Sequence, residues 1–159
     1  VTEAGSKEIG SIKSAVGIGA MLCDGIGDTL RVSLTDDPVL EVDAAKKILR
    51  AVGIEGQCGM DIVSCPTCSR TKIDLIPLVK RFEAAVAEAG LEDVPVKVAL
   101  MGCVVNGPGE AREADIGIAG GKGEAVLFRH GEIIEKIPEE LVIERLIKEI
   151  RLLKDGMNK

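Results

Sequence analysis

The sequence S-C-P-T-C-S at residues 64–69 decides how this chain is interpreted. Cys65 and Cys68 form a C-x-x-C pair, a spacing that can place two sulfurs on one metal centre. The pair alone fits a redox disulfide or a zinc ribbon as well as it fits an iron–sulfur site. A second cysteine loop, further along the chain, favours one of these interpretations.

That second loop, M-G-C-V-V-N-G-P-G-E at residues 101–110, supplies a thiol from Cys103 and a carboxylate from Glu110. A structural zinc site normally closes with four Cys or His ligands. Three thiolates with a nearby carboxylate instead suit an iron–sulfur cluster that leaves one iron without a thiolate. Cys58 keeps the zinc alternative open, because it could join the three cysteines as a fourth ligand. An iron–sulfur domain that only relays electrons is a further alternative, although it has no need of Glu110.

The two loops, extended to S-C-P-T-C-S-R-T and M-G-C-V-V-N-G-P-G-E, closely resemble the cluster-binding motifs of the 4-hydroxy-3-methylbut-2-enyl diphosphate synthase family. The resemblance runs from residue 1 to about residue 121 with matching spacing. It implies a [4Fe–4S] cluster on four ligands: Cys65, Cys68, Cys103 and Glu110. The implied reaction, in the non-mevalonate isoprenoid pathway, is reductive ring opening and dehydration of 2-C-methyl-D-erythritol 2,4-cyclodiphosphate to 4-hydroxy-3-methylbut-2-enyl diphosphate. Electrons would come from a ferredoxin or flavodoxin, and the whole enzyme would be a homodimer.

The same resemblance implies a site for the anionic cyclic diphosphate. The residues at matching substrate-binding positions are Thr2, Lys13, Arg31, Ser33 and Asn106. Glu3 matches a carboxylate implicated in the chemistry, as does Glu110. Arginine suits this task because its planar guanidinium meets phosphate oxygens in pairs. Without the resemblance, Arg31 and Ser33 would be the polar side of a half-buried strand, and Lys13 a solvated helix residue.

Residues 1–56 predict a β-α-β-α order, which is typical of a parallel sheet. The elements are a strand end at 1–5, a helix at 11–24, a strand at 29–34 and a helix from Pro38 to about residue 52. The first helix should bury a face of small and aliphatic residues: Ile12, Ala15, Val16, Gly19 and Ala20. Two strands cannot stand alone, and the resemblance implies the last two strand–helix units of a TIM-type barrel, which needs about 250 residues. We therefore expect the carboxy-terminal part of a longer enzyme, inactive by itself and self-associating through residues 1–52.

Residues 57–159 predict a self-contained iron–sulfur domain, an α/β sandwich with both cysteine loops at strand ends. The expected strands are 61–64, 94–101, 116–119, 125–128 and 133–137, the last two forming a hairpin. A helix over 74–89 should bury Ile76, Val79, Phe82, Val86 and Ala89. A second helix from Pro138 carries its apolar residues at Leu141, Val142, Ile143, Leu146, Ile147 and Ile150. The C-x-x-C pair would then precede a helix amino terminus beside Arg70 and Lys72, which favours thiolate over thiol.

Composition excludes several function classes. The net charge is −6, and with two Phe and no Tyr or Trp the chain has almost no aromatic surface on which bases could stack; both argue against a nucleic-acid binder. No apolar run is long enough to span a membrane, and the amino terminus lacks a signal-peptide pattern. Five cysteines, two spaced like ligands, suit a reducing cytoplasm. Cys23, Cys58 and the only histidine, His130, are interpreted as bystanders.

Overall fold

The structure, a computed structural model, describes residues 5–54, 59–104 and 112–157. It divides into two compact units, Val1–Cys58 and Gly59–Lys159. Helices and strands both contribute, so the α/β class predicted from the sequence is confirmed. In the part of the chain that is described, no helix is both long and apolar enough to cross a membrane.

The described residues of the first unit, 5–54, form two helices, α1 (Lys7–Cys23) and α2 (Pro38–Ala51). The start of α2 is fixed by its sequence, because the Asp37 side chain accepts a hydrogen bond of 2.9 Å from the backbone N–H of Val39. Pro38 occupies the first turn, where its missing N–H costs little. The helix predicted to open at Pro38 is therefore confirmed.

The predicted strand over residues 29–34 is wrong, since the structure assigns no strand to this extended segment. The expected alternation is present: Val32 and Leu34 are buried, Arg31 is exposed and Ser33 is partly buried. A strand also needs a hydrogen-bonded neighbour. Just beyond the segment, the backbone N–H of Thr35 donates to the carbonyl oxygen of Gly5 at 2.7 Å. This single bond, at the end of the segment, does not make a ladder.

The predicted buried face of α1 is also wrong in most of its members. The helix buries Gly10, Ser14, Ile18 and Gly19. Its small residues face inward because the backbone approaches the extended segment closely: a Cβ on Gly10 would lie 2.8 Å from Leu34 Cδ2. Four other apolar residues of the helix instead lie in an exposed row, the α1 stripe: Ile9, Ile12, Val16 and Ala20. Val16 is 70% exposed and Ile12 is 57% exposed.

Within residues 59–104 and 112–157, the second unit contains a five-stranded sheet in the spatial order β1-β2-β3-β4-β5. Its strands are β1 (Asp61–Ser64), β2 (Lys97–Met101), β3 (Ile116–Gly120), β4 (Glu124–Arg129) and β5 (Glu132–Pro138). The first three strands are parallel, and β4 and β5 follow antiparallel. His130 and Gly131 both have positive φ, 48° and 80°, in the tight turn of the predicted hairpin. The described helices are α3 (Leu75–Glu88) and α4 (Val142–Met157).

Side chains of both helices form the main core with one face of the sheet. Phe82 of α3 and Leu146 of α4 are fully buried in this core with Leu127 of β4. Ile76 is 58% exposed, contrary to prediction, while Leu75 and Leu78 are buried in its place. Because α3 begins at Leu75, its buried positions fall at 75, 78, 82 and 86, a helical repeat that leaves 76 outside.

The helix predicted from Pro138 begins later than expected. A short 3-10 turn, Glu139–Leu141, precedes α4, and Leu141 is exposed rather than part of the apolar face. Val142, Leu146 and Ile150 supply the buried side of α4. The 3-10 turn points side chains differently from the α-helix that follows, which displaces Leu141 from the buried row.

On the opposite face of the sheet, a smaller cluster forms around Phe128 with Ala99, Met101 and Ala119. Gly117, directly opposite Phe128 in the β3–β4 register, makes room for this ring. A Cβ on Gly117 would lie 2.5 Å from both Phe128 Cζ and the carbonyl oxygen of Ala99. This face of the sheet therefore depends on a glycine for its packing.

Candidate metal centre

The cysteine loops leave the sheet from the same edge. Strands β1 and β2 are parallel neighbours, with Ser64 opposite Leu100. Cys65 directly follows β1, and Cys103 follows β2 by two residues. Because the carboxyl ends of parallel strands lie together, the topology brings these two thiol-bearing segments side by side, at the edge where α/β sheets commonly bind ligands.

Two backbone hydrogen bonds of Gly102 join the loops. Its N–H donates to Cys65 Sγ at 3.3 Å. Its carbonyl oxygen accepts from the backbone N–H of Lys72 at 2.8 Å. The peptide before Cys103 therefore holds the Cys65 sulfur beside the second cysteine loop.

The loop around Cys68 is closed by Thr71. The backbone N–H of Thr71 donates to the carbonyl oxygen of Cys68 at 3.0 Å, and the N–H of Cys68 donates to Thr71 Oγ1 at 3.1 Å. Thr71 also lies against Gly102: a Cβ there would be 2.8 Å from Thr71 Cγ2. One threonine therefore contacts both cysteine loops.

Local charge and hydrogen bonding favour the thiolate of Cys68. Its pKa is lowered from the ordinary value, first by a hydrogen bond from the backbone N–H of Arg70 and then by one from the Arg70 side chain. The Thr71 hydroxyl adds a smaller contribution in the same direction. This agrees with the thiolate preference expected of a C-x-x-C pair beside basic residues.

The three thiols differ in accessibility. Cys103 is buried, Cys65 is partly buried and Cys68 is exposed, and all three are free. Within residues 5–54, 59–104 and 112–157, no three His, Cys, Asp or Glu side chains form a ready group for a metal ion. Glu110 and Cys58, the predicted fourth ligand and its zinc-site rival, lie outside these residues.

Thr2 and Asn106, which are predicted to bind the substrate, and Glu3, which is predicted to be catalytic, lie outside the described part of the chain. Arg31 and Ser33 lie on one side of the extended segment, because Val32 between them points into the small core of the first unit. Lys13 lies on an exposed side of α1. His130 is exposed in its hairpin turn, as expected of a solvated residue.

Sequence reasoning missed Thr71 and Gly102. Both stand inside the quoted motifs, in S-R-T and in M-G-C, so their position was the available signal. Their contact joins loops about thirty residues apart in the sequence, and no local pattern predicts it.

Comparison with models of known protein families shows to which family this chain belongs. Residues 61–152 match the family model of the GcpE protein C-terminal domain. The chain belongs to the GcpE family. Residues 1–46 match the family model of the GcpE TIM-barrel domain, so the two GcpE domains follow one another along this chain.

Three curated relatives of this chain carry the name 4-hydroxy-3-methylbut-2-en-1-yl diphosphate synthase (flavodoxin). The chain is 57% identical over 153 residues to that of Clostridium perfringens, covering 96% of this chain and 43% of the relative. It is 54% identical to that of Listeria monocytogenes (96% and 40%) and 57% identical to that of Fusobacterium nucleatum (94% and 41%). The resemblance seen in the sequence is confirmed, and the chain spans well under half the length of these relatives.

Proposed function

We propose that this chain carries the iron–sulfur centre of a 4-hydroxy-3-methylbut-2-enyl diphosphate synthase. Cys65, Cys68 and Cys103 hold a [4Fe–4S] cluster, with Glu110 on the fourth iron. The observation that carries the proposal is the meeting of both cysteine loops at one edge of the sheet, where the N–H of Gly102 donates to Cys65 Sγ at 3.3 Å. The names of the relatives point to the same activity.

The residues present fit such a cluster. Thiolates are the usual ligands of iron–sulfur clusters, and hydrogen bonds to their sulfurs help to set the reduction potential. Cys65 receives a bond of this kind, and the pKa of Cys68 is lowered by the hydrogen bonds of Arg70. When bound, the cluster supplies electrons and a Lewis-acidic iron for reductive opening of the cyclic diphosphate and loss of water.

The chain's own residues divide the remaining work. Glu110 is a hard oxygen ligand that exchanges more readily than a thiolate. Arg31 and Ser33, on one side of the extended segment, bind the diphosphate of 2-C-methyl-D-erythritol 2,4-cyclodiphosphate. Their hydrogen-bond donors have to attract the anionic diphosphate locally, because the net charge of the chain is −6 and repels it. The other substrate-binding residues are Thr2, Lys13 and Asn106, and Glu3 is a second catalytic carboxylate.

The matches to both GcpE family models support the following domain organisation. Residues 1–56 correspond to the last two strand–helix units of the barrel and residues 57–159 to the iron–sulfur α/β sandwich domain. Flavodoxin, which appears in the relatives' names, is the proposed electron donor, with ferredoxin as its functional equivalent. The enzyme is a cytoplasmic homodimer, and its product is 4-hydroxy-3-methylbut-2-enyl diphosphate. The chain alone lacks most of a substrate pocket and does not convert the cyclic diphosphate.

A chimera tests the proposal. The matching region of the Clostridium perfringens relative is replaced by this chain, and conversion of the cyclic diphosphate is followed with reduced flavodoxin. We expect turnover in the chimera and none with the chain alone. A chimera that holds iron and sulfide yet never converts the substrate would contradict the proposed activity.

A further inference from the structure

Thr71 contacts both cysteine loops through different atoms. Its Oγ1 accepts the backbone N–H of Cys68 at 3.1 Å, within the C-x-x-C loop. Its Cγ2 lies against the Cα of Gly102, where an added Cβ would come within 2.8 Å. Both contacts belong to one β-branched side chain, whose χ1 is stiff. Rotating Thr71 away from Gly102 would therefore break its bond to Cys68.

Gly102 completes the contact from the other side. Its N–H donates to Cys65 Sγ, and its carbonyl oxygen accepts from the residue after Thr71, Lys72, at 2.8 Å. Gly102 is not among the glycines with positive φ, so its backbone would tolerate alanine. What excludes a side chain is the contact with Thr71, because a Cβ would also lie 3.0 Å from Thr71 Oγ1.

We propose that Thr71 is a positioning residue for the cluster thiolates, and that with Gly102 it forms a clasp that holds the two cysteine loops in register. The clasp consists of Thr71, Gly102 and the three hydrogen bonds from Cys68 N–H to Thr71, from Lys72 N–H to Gly102 and from Gly102 N–H to Cys65. This inference rests on the proposed function, since it concerns the ligands of that cluster.

The expected effects follow from what surrounds a metal site. Residues that orient metal ligands typically change metal affinity by about 10- to 100-fold when they are removed. Hydrogen bonds to ligand sulfurs also shift the reduction potential of a cluster. A hydroxyl donates one hydrogen and accepts two, so Thr71 can accept from the Cys68 N–H and donate to the Cys68 sulfur together.

A pair of substitutions separates the two contacts. Thr71→Val keeps the methyl against Gly102 and removes the oxygen, whereas Thr71→Ser keeps the oxygen and removes the methyl. After anaerobic reconstitution, we expect Thr71→Val to lose iron to a chelator roughly 10-fold faster and to have a more negative midpoint potential. Thr71→Ser keeps the three hydrogen bonds of the clasp and loses only the methyl contact with Gly102, so it should lose iron more slowly than Thr71→Val and keep a midpoint potential close to that of the unmodified protein. Equal behaviour of Thr71→Val and the unmodified protein would overturn the inference.

Gly102→Ala tests the other half of the clasp. The added methyl should displace Thr71 and accelerate iron loss, and combining it with Thr71→Ser should restore part of the retention by clearing the 2.8 Å contact. If the double variant is no better than Gly102→Ala, the contact with Thr71 is not what excludes a side chain at residue 102, and that half of the inference fails.

Amide hydrogen exchange in the metal-free protein makes failure of this inference distinguishable from failure of the proposed function. We expect the Cys68 N–H to exchange faster in Thr71→Val and to be unchanged in Thr71→Ser, whether or not a cluster forms. If the Cys68 amide exchanges at the same rate in Thr71→Val as in the unmodified protein, the clasp is wrong and the proposed cluster is unaffected. If exchange is faster in Thr71→Val but the unmodified protein takes up no iron, the clasp is supported and the proposed cluster is wrong.

Discussion

The two units of this chain differ in how their backbone N–H and C=O groups find hydrogen-bond partners. In Gly59–Lys159, five strands pair into one sheet and the helices α3 and α4 contribute to its main core. In Val1–Cys58, the described residues form two helices and an extended segment at 29–34, with no strand ladder. The α1 stripe also stays exposed. The described part of the second unit therefore hydrogen-bonds its strands to one another, whereas that of the first keeps an extended segment without a ladder and an exposed apolar row.

The largest expected effect lies at the proposed cluster ligands, Cys103 and Glu110. Cys103→Ser should abolish cluster assembly, because a thiolate that holds the inorganic core is lost. Glu110→Ala should retain much of the cluster yet remove turnover when placed in the chimera. Iron and sulfide content and the substrate assay measure the two effects. Cys23→Ser, an exposed cysteine of the first unit, is the matched control and should change neither. Equal cluster loss from Cys103→Ser and Glu110→Ala would argue against a separate role for Glu110.

Within the second unit, truncating a core side chain should lower the free energy of unfolding far more than truncating an exposed one. Leu127→Ala, at a fully buried position of β4, is expected to lower the free energy of unfolding by about 2–5 kcal/mol. Leu152→Ala on α4 is the matched control, because Leu152 is exposed and its loss should cost no more than about 0.5 kcal/mol. Denaturant unfolding followed by circular dichroism measures both. A similar cost at the two positions would show that the core of the second unit is misassigned.

Self-association should depend on the first unit. Val16→Glu places a charge in the α1 stripe and is expected to shift the chain toward monomer, because the apolar row no longer offers a continuous surface. Ile133→Glu, at an exposed position of the edge strand β5, is the control from the second unit and should leave association unchanged. Size-exclusion chromatography with light scattering decides between them. If the unmodified chain is monomeric, or if only Ile133→Glu dissociates it, the prediction that the first unit mediates self-association is wrong.

The smallest expected effect is a shift in thiol reactivity. The Arg70 hydrogen bonds hold the pKa of Cys68 below the ordinary cysteine value of 9.0, so the thiolate persists to lower pH than in a free thiol. Alkylation of metal-free protein, read at Cys68 by mass spectrometry, should therefore have a midpoint below 9.0. The rate should fall as pH drops through the folded pKa. Arg70→Gln should raise the midpoint, although the backbone N–H at residue 70 still donates. A midpoint at or above the ordinary value would contradict this assignment.

Local sequence patterns predicted most of the second unit. The strand at Asp61–Ser64 and the hairpin around His130 were read from short apolar runs and turn residues, and both are confirmed. They could be predicted because the pattern that forms them is local. The start of α2 was likewise set by Asp37 and Pro38.

Features that depend on distant contacts could not be predicted in this way. The buried face of α1 is decided by the close approach of Gly10 to Leu34, not by the hydrophobicity of Ile12 or Val16. The extended segment at 29–34 has the alternation of a strand but no ladder, and pairing is a tertiary property. At the candidate metal centre, the motifs point to the cysteines, while the contact of Thr71 with Gly102 is visible only in the fold.

Anaerobic iron and sulfide analysis of the reconstituted chain, with its visible absorption spectrum, tests the central claim most directly. The account predicts four iron and four sulfide ions per chain, as a [4Fe–4S] cluster requires, and their loss in Cys65→Ser, Cys68→Ser and Cys103→Ser alike. A chain that takes up one zinc ion in place of iron and sulfide, and loses it in Cys58→Ser, would contradict it.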